Sequence, residues 1–364
     1  PTLKVHSAPV RVIRMSLPHP SQPGKPSRLV PILVVVALVL VIGGWSAGWL
    51  WARGQFEARL DEGVAGLRKA GYEVGWRQRT IGGYPFRLDV TLIEPAIRDR
   101  SGWALEAPRL EGEAQVLAPT HWVLAAPQGL RFVRPQGGPV EVKGATLRAS
   151  LSHLGNTPPN FSFEGGDLTF RPAPGAQPFA LSQAKRVEFH LRQAPAEVGD
   201  EAGVWLSVEG GQARLSGLLG RIADGKPVAI EWDSRLSKAS AFHGGSWAEA
   251  VRNWVDAGGR MNVRHAGLTA GEALVGADGG TLSVGSDGRL RGSLEVSLRQ
   301  APRALAALGA TGAVPEERAA AAAAVVEARA GGGEAARADL AFQAGQTTLG
   351  PVALAPAPKV YEPR

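Results

Sequence analysis

The chain has 364 residues, no cysteine and a formal charge of +7, with 47 Gly and 27 Pro among its residues. Its length places no limit on core size, and the lack of thiols excludes thiolate catalysis, iron–sulfur ligation and cysteine zinc sites. So much Gly and Pro without a Gly-X-Y period excludes collagen and argues for many strands and turns. The charge is unevenly placed: Lys4, Arg11, Arg14, Lys25 and Arg28 lie within residues 1–28, which hold no acid, and the other 35 Lys and Arg against 33 Asp and Glu leave only +2. A basic excess confined to one short arm has a topological use and predicts no nucleic-acid partner.

Residues 1–28, proline-rich and without a sustained apolar pattern, read as a disordered basic cytoplasmic arm. Residues 29–51, "LVPILVVVALVLVIGGWSAGWLW", carry no charge across 23 positions. As a helix they reach about 34 Å against roughly 30 Å of hydrocarbon, which predicts a transmembrane span. Trp45, Trp49 and Trp51 crowd its far end, where indoles favour the interface, and the positive arm should stay on the cytoplasmic side. A cleaved signal peptide is the rival reading, with Ser46, Ala47 and Gly48 as the processing site, although its apolar core would be unusually long. Gly44 and Gly48 form a G-x-x-x-G pair through which two such helices could approach as a homodimer.

In residues 52–71, Phe56, Leu60, Val64 and Leu67 form a stripe along one helix face that Gly71 can end. That helix either docks the following domain near the bilayer or packs on the domain's own sheet. Residues 72–364 then predict a periplasmic β-rich domain. In "RTIGGYPFRLDV", residues 79–90, Gly82, Gly83 and Pro85 fix a turn, and Phe86, Leu88, Val90 and Leu92 alternate with Arg87, Asp89 and Thr91. "YEVGWRQRTI" supplies the first strand of this hairpin. Further strands are expected at 104–119, 140–151, 186–193, 227–237 and 280–298, the last folded on the turn "GSDG".

Two helices interrupt the strands. "SWAEAVRNWVDAGG" places Ser246 and Glu249 at capping-box spacing and ends on Gly258 and Gly259. "PEERAAAAAAVVEARAGGG" opens on Pro315 with two acids in its first turn, after a shorter helical piece near 302–308. The predicted fold is mainly β: a transmembrane helix, then an extended, curved antiparallel meander, groove-like or sandwich-like, with two or three short covering helices.

Motifs that suggest chemistry fail on context. "GWSAG" has the spacing of a nucleophile elbow, but Ser46 lies inside the apolar span instead of at a strand-to-helix turn. "GRIADGKP" imitates a phosphate loop until Pro227 takes the place of the metal-binding hydroxyl, and Asp224, Gly225 and Lys226 read better as a turn before Val228. His6, His19, His121, His153, His190, His243 and His265 show no close metal-ligand spacing. No catalytic set, metal site or cofactor site is expected.

The stretch Gly83, Tyr84, Pro85, Phe86, Arg87 and Leu88, with "APRLEGEAQVLAPTHWVLAAP" and "ADGGTLSVGSDGRLRGSLEVSL" further on, resembles an envelope-protein family of Gram-negative bacteria, domain of unknown function 2125. The resemblance implies an inner-membrane-anchored periplasmic protein and carries over no catalytic residue. A broader similarity is to AsmA-like envelope proteins, whose long sheets curl into grooves associated with lipid movement. Independently, a sheet with one apolar face must close, pair or hold something apolar. The first expectation is therefore a groove for lipid or another amphiphile, lined by Phe86, Leu88, Val90, Trp232, Leu294 and Val296. The second is a non-enzymatic scaffold, closed on itself, that binds envelope proteins. An open apolar trough would favour the first and a filled core the second.

Overall fold

The computed structural model describes residues 29–195, 197–213, 225–270, 273–299, 315–330 and 335–361. The expected arm at 1–28 and helical piece near 302–308 lie outside the described residues, as does most of "GRIADGKP". The chain divides into two compact units, Pro1–Gly48 and Trp49–Arg364. Helix α1, Leu29–Ala70, contributes to both. In the first unit its aliphatic side chains are exposed, Leu33, Val39 and Leu40 among them. Over Pro31–Ala70 it is the one helix among the described residues long and apolar enough to cross a membrane.

In the second unit α1 continues without a break to Gly71, whose φ of +98° and N–H bond to the Arg68 carbonyl end it. Of the expected stripe, Phe56 stacks on Trp122 of the sheet at 4.5 Å and Val64 is buried, while Leu67 is exposed. Arg79 ties the same helix to the sheet through Glu57 at 3.0 Å and Asp61 at 2.5 Å.

The sheet begins with five long strands, each interrupted near its middle. They are β1 (Glu73–Gly75) with β2 (Gln78–Gly82), β3 (Arg87–Ile93) with β4 (Ala96–Arg98), and β5 (Ala104–Glu106) with β6 (Arg109–Gln115). Next come β7 (Ala118–Ala125) with β8 (Leu130–Arg134), and β9 (Gly138–Lys143) with β10 (Thr146–Ser152). Continuous strands follow: β11 (Asn160–Pro172), β12 (Leu181–Gln193), β13 (Glu201–Ala213), β14 (Val228–Ser237), β15 (Met261–Ala270), β16 (Ala273–Val284) and β17 (Leu290–Arg299). After α2 (Trp247–Asp256), inserted between β14 and β15, and α3 (Glu316–Ala330), the chain closes with β18 (Ala335–Gln343), β19 (Gln346–Leu349) and β20 (Val352–Pro356).

Pairings that look like crossovers are the two halves of one meander. The β2–β3 pair matches Ile81 with Val90 while β1–β4 matches Val74 with Ile97, so both halves of the first long strand pair with both halves of the second. The rule repeats through β3–β6 with β4–β5, β6–β7 with β5–β8, and β7–β10 with β8–β9. Strand β11 then accepts β10 along Asn160–Gly166 and β9 along Thr169–Pro172. From β11 onward each described strand pairs with the next. The expected antiparallel meander is therefore the fold.

The interruptions line up as a crease across the sheet. Pro95, Pro108 and Pro127 have no N–H for the ladder, Glu94 takes φ +52° and Gly129 φ +88°, so the backbone must bend there. Bonds across the crease keep the strands joined: Glu94 N–H to the Pro108 carbonyl, Ala107 N–H to that of Pro95, and Ala145 N–H to that of Gly166. Three expectations are corrected here, one of them 140–151, which falls in β9 and β10 parted at Gly144 and Ala145. "YEVGWRQRTI" is two strands parted at Trp76 and Arg77, and 104–119 is β5, β6 and the start of β7, because Pro108 breaks the ladder.

Apolar residues fill four clusters. Val140, Val142, Leu147 and Leu168 meet Leu181, Val208 and Val228 within the creased sheet. Trp49 of α1 covers Ile81, Leu88, Val90, Ala114 and Trp122. Helix α3 presses Ala322 and Val326 onto Leu294, Val296, Ala338 and Phe342. Helix α2 sets Val251 and Trp254 beside Val284 and Tyr361.

Candidate functional site

The fourth cluster is incompletely filled. Helix α2 is positioned by its ends. Ser246 caps it from an extended conformation, its Oγ accepting from the Glu249 N–H at 3.3 Å. The Glu249 carboxylate reaches back to the Gly245 N–H at 3.0 Å, one residue earlier than a capping box requires. Gly245 permits a close approach, since a Cβ there would lie 1.9 Å from the Ala70 carbonyl oxygen. At the other end Gly258, at φ +77°, releases the chain into β15.

Three side chains of α2 fasten it to its surroundings. Trp254 Nε1 donates to the Ser237 carbonyl at 2.7 Å, Asn253 Nδ2 to that of His243 at 2.7 Å, and Trp247 Nε1 to that of Val360 at 2.8 Å. Each indole thereby satisfies its one polar atom and turns its ring to apolar neighbours. Phe242 meets Trp247 and Trp254 edge-on at 5.5 and 6.3 Å.

Beneath the helix is a cavity of about 410 Å³, walled by Phe189, Val204, Leu236, Val251, Met261 and Leu282 among others, with Ser283 the polar exception. Trp247 stands at its edge, 45% exposed, and forms part of two neighbouring hollows. One, of about 630 Å³, is lined by Tyr72, Asp99, Trp103 and Phe132. The other, of about 710 Å³, is lined by Arg100, Arg134 and Lys359. Asp99 organises the rim: its carboxylate accepts from the Ser101 N–H at 2.9 Å, Ser101 Oγ at 2.7 Å, the Trp103 N–H at 3.0 Å and the Trp247 N–H at 3.5 Å. Burial raises the Tyr72 phenol above its ordinary value, and the charges of Asp99 and Glu249 add to the shift. Its hydroxyl donates to the Gly244 carbonyl at 3.1 Å.

The sequence-predicted residues lie elsewhere. The six groove candidates do not line one groove: Leu88 and Val90 are packed under α1, and Leu294 and Val296, with Trp232 alongside, are packed with α3. Phe86 is 69% exposed in the β2–β3 turn, ahead of the strand. Alternation marks the apolar face of a strand but not which stretch a helix will cover. The signal that could have found the cavity was Trp247 and Trp254, seven apart on a short helix and more indole than that helix could bury. The Gly83–Leu88 motif is the tight β2–β3 turn, with a cis Tyr84–Pro85 peptide and Gly83 at φ +98°. Gly44 and Gly48 are four apart in α1, where an added Cβ would meet nothing within 4 Å. Ser46 Oγ donates to the Ile42 carbonyl at 2.8 Å inside that helix, so "GWSAG" forms no strand-to-helix elbow. Among the described residues no group of three or more His, Asp or Glu converges as a metal site.

Fold and site together define a mainly-β protein carrying one apolar helix that fits a single-pass membrane anchor. The chain belongs to the family described as an uncharacterized protein conserved in bacteria (DUF2125), whose model matches residues 49–358. The match begins at Trp49, where the compact β unit also begins. Neither the curated proteins nor the solved structures give a match, so the expected similarity to AsmA-like proteins gains no support.

Proposed function

We propose that this is an inner-membrane-anchored periplasmic protein that holds the apolar part of a lipid or another amphiphile beneath α2, without catalysis, in maintenance of the envelope. The observation that carries this reading is the cavity of about 410 Å³ with its hydrocarbon and aromatic wall. Its volume falls in the range of roughly 300–1,000 Å³ typical of small-molecule sites. Each methylene moved there from water would contribute about 0.8 kcal/mol, so a handful offset the cost of immobilising a flexible chain.

A second reading, a scaffold that binds envelope proteins, is favoured by the buried apolar clusters under α1 and α3. Lipid analysis by mass spectrometry separates the two. The full chain, purified from envelopes under native conditions beside an unrelated membrane protein, should retain one lipid class stoichiometrically. Val204→Trp, which fills the cavity, should lose it. A folded chain that retains no specific lipid would leave the scaffold reading in possession, and proximity labelling would then identify its neighbours.

A further inference from the structure

We infer that the amphiphile held under α2 is anionic, with its tail in the apolar cavity and its charged oxygens in the adjoining hollow of Arg100, Arg134 and Lys359. The inference rests on the lipid reading and adds the chemistry of the headgroup.

The two spaces are neighbours, with Trp247 and Val360 in the wall of both. The larger one contributes three cationic side chains, together with Ser101, Gln136 and Gln177, and no Asp or Glu among the described residues lines it. Arg134 is fixed in place. Its guanidinium donates to the carbonyls of Gly137 at 2.8 Å, Gly138 at 3.3 Å, Gln177 at 2.6 Å and Pro178 at 3.2 Å, and it lies 5.6 Å from the Phe179 ring centroid. These acceptors are neutral, so they hold the group rigid without cancelling its charge. Among the described residues neither Arg100 nor Arg134 forms an ion pair with a carboxylate. Asp99 is the neighbouring acid, and its carboxylate is engaged by Ser101 and by the Trp103 and Trp247 amides.

A free anion would fill only the cationic hollow, and an uncharged hydrophobe only the apolar cavity. A molecule with an oxyanion on a hydrocarbon tail satisfies both. A carboxylate and a phosphate ester share this chemistry, since each offers acceptor oxygens to fixed cationic donors.

Native mass spectrometry of the full chain released from neutral micelles tests the inference. Dodecanoate, dodecyl phosphate, dodecyltrimethylammonium and a neutral dodecyl glycoside compete at equal concentration. The two anionic probes should be retained about tenfold better than the cationic and neutral ones, and their ratio to each other distinguishes a fatty-acid from a phosphate headgroup. Combining Arg100→Gln with Lys359→Gln should bring the anionic probes most of the way down to the neutral level, Arg134 keeping the remainder, and leave the neutral probe unchanged. Arg100→Glu alone should cut the anionic preference further than Arg100→Gln, because the new carboxylate opposes Arg134 and Lys359. Inorganic phosphate retained as well as dodecyl phosphate would overturn the inference, because the tail would then add nothing. Equal retention of all four probes, abolished by Val204→Trp, would overturn the anionic headgroup and leave the lipid reading intact. Retention of none would remove both.

Discussion

The indole Nε1 of Trp49 donates a 2.9 Å hydrogen bond to the backbone carbonyl of Arg87, and its ring meets Tyr84 edge-on at 5.5 Å. One residue of α1 thus holds both the turn and the first residue of β3. Trp49 is buried among Ile81, Leu88, Val90 and Trp122. A β unit expressed without Trp49 would lack this contact. Trp49→Ala should cost about 3–5 kcal/mol in unfolding free energy, and Trp49→Phe, which keeps most of the ring, about 1–2 kcal/mol for the orphaned carbonyl. Chemical denaturation of the full chain checks both. Unchanged midpoints would mean that the helix does not brace the sheet.

The turn itself depends on Gly83. At φ +98° an L side chain is strained, and an added Cβ would lie 2.6 Å from the Arg87 carbonyl oxygen. Gly83→Val should therefore cost on the order of 2–4 kcal/mol. Arg87→Lys should cost under about 1 kcal/mol, because the Arg87–Glu113 pair, at 3.2 Å, is more than half exposed on both sides. Equal losses in thermal unfolding would sink the idea that this turn sets the register.

Helix α3 is held chiefly by Val326, 1% exposed, and Ala322, fully buried. Val326→Asp would place a charge among Leu294, Phe342 and Leu349. We expect a loss of about 3–5 kcal/mol and new proteolytic cleavage within 316–330. Glu317→Gln, on an exposed residue of the same helix, should leave both readouts unchanged.

Two groups give the stability a pH dependence of opposite sign. Burial, then the charges of Asp99 and Glu249, raise the Tyr72 phenol above 10.0 in the folded state. Its contribution is full below the unfolded value and is lost as pH rises through the folded one. Tyr72→Phe should flatten that alkaline loss, at a cost of about 1 kcal/mol for the bond to Gly244. Glu164 is shifted the other way, chiefly by its hydrogen bond from Arg148 and further by the charges of Arg148, Arg186 and His190. Its contribution is present above the ordinary value of 4.5 and is lost as pH falls through the lower folded value. Glu164→Gln should flatten part of the acid limb. Because this cluster is exposed, molar salt should shrink the difference.

Much of the fold could be read from residue pattern. The alternation of Leu88 and Val90 against Arg87 and Asp89, the "GSDG" turn between β16 and β17, and the Ser246 cap of α2 all formed where local chemistry put them. The crease was written in Pro95, Pro108 and Pro127, yet a search for alternating runs passes over an interrupting proline as an irregularity. Of the cavity only the indole pair Trp247 and Trp254 was legible. Its wall comes from β12, β13, β14, α2, β15, β16 and residues near Val360, which no local pattern connects. Whether a face is covered depends on where α1, α2 and α3 land, and that is settled by long-range packing.

The order of pairing has a consequence for how the molecule is made. Each long strand joins the one synthesised just before it, and no described strand waits for a distant partner to complete the ladder. A chain emerging from its amino end can zip the sheet progressively, exposing one unpaired edge at a time. Sheets that interleave early and late strands must leave several edges open until synthesis is finished. Here the growing edge is always the newest strand, so premature arrest should yield shorter but correctly registered sheets instead of tangled ones.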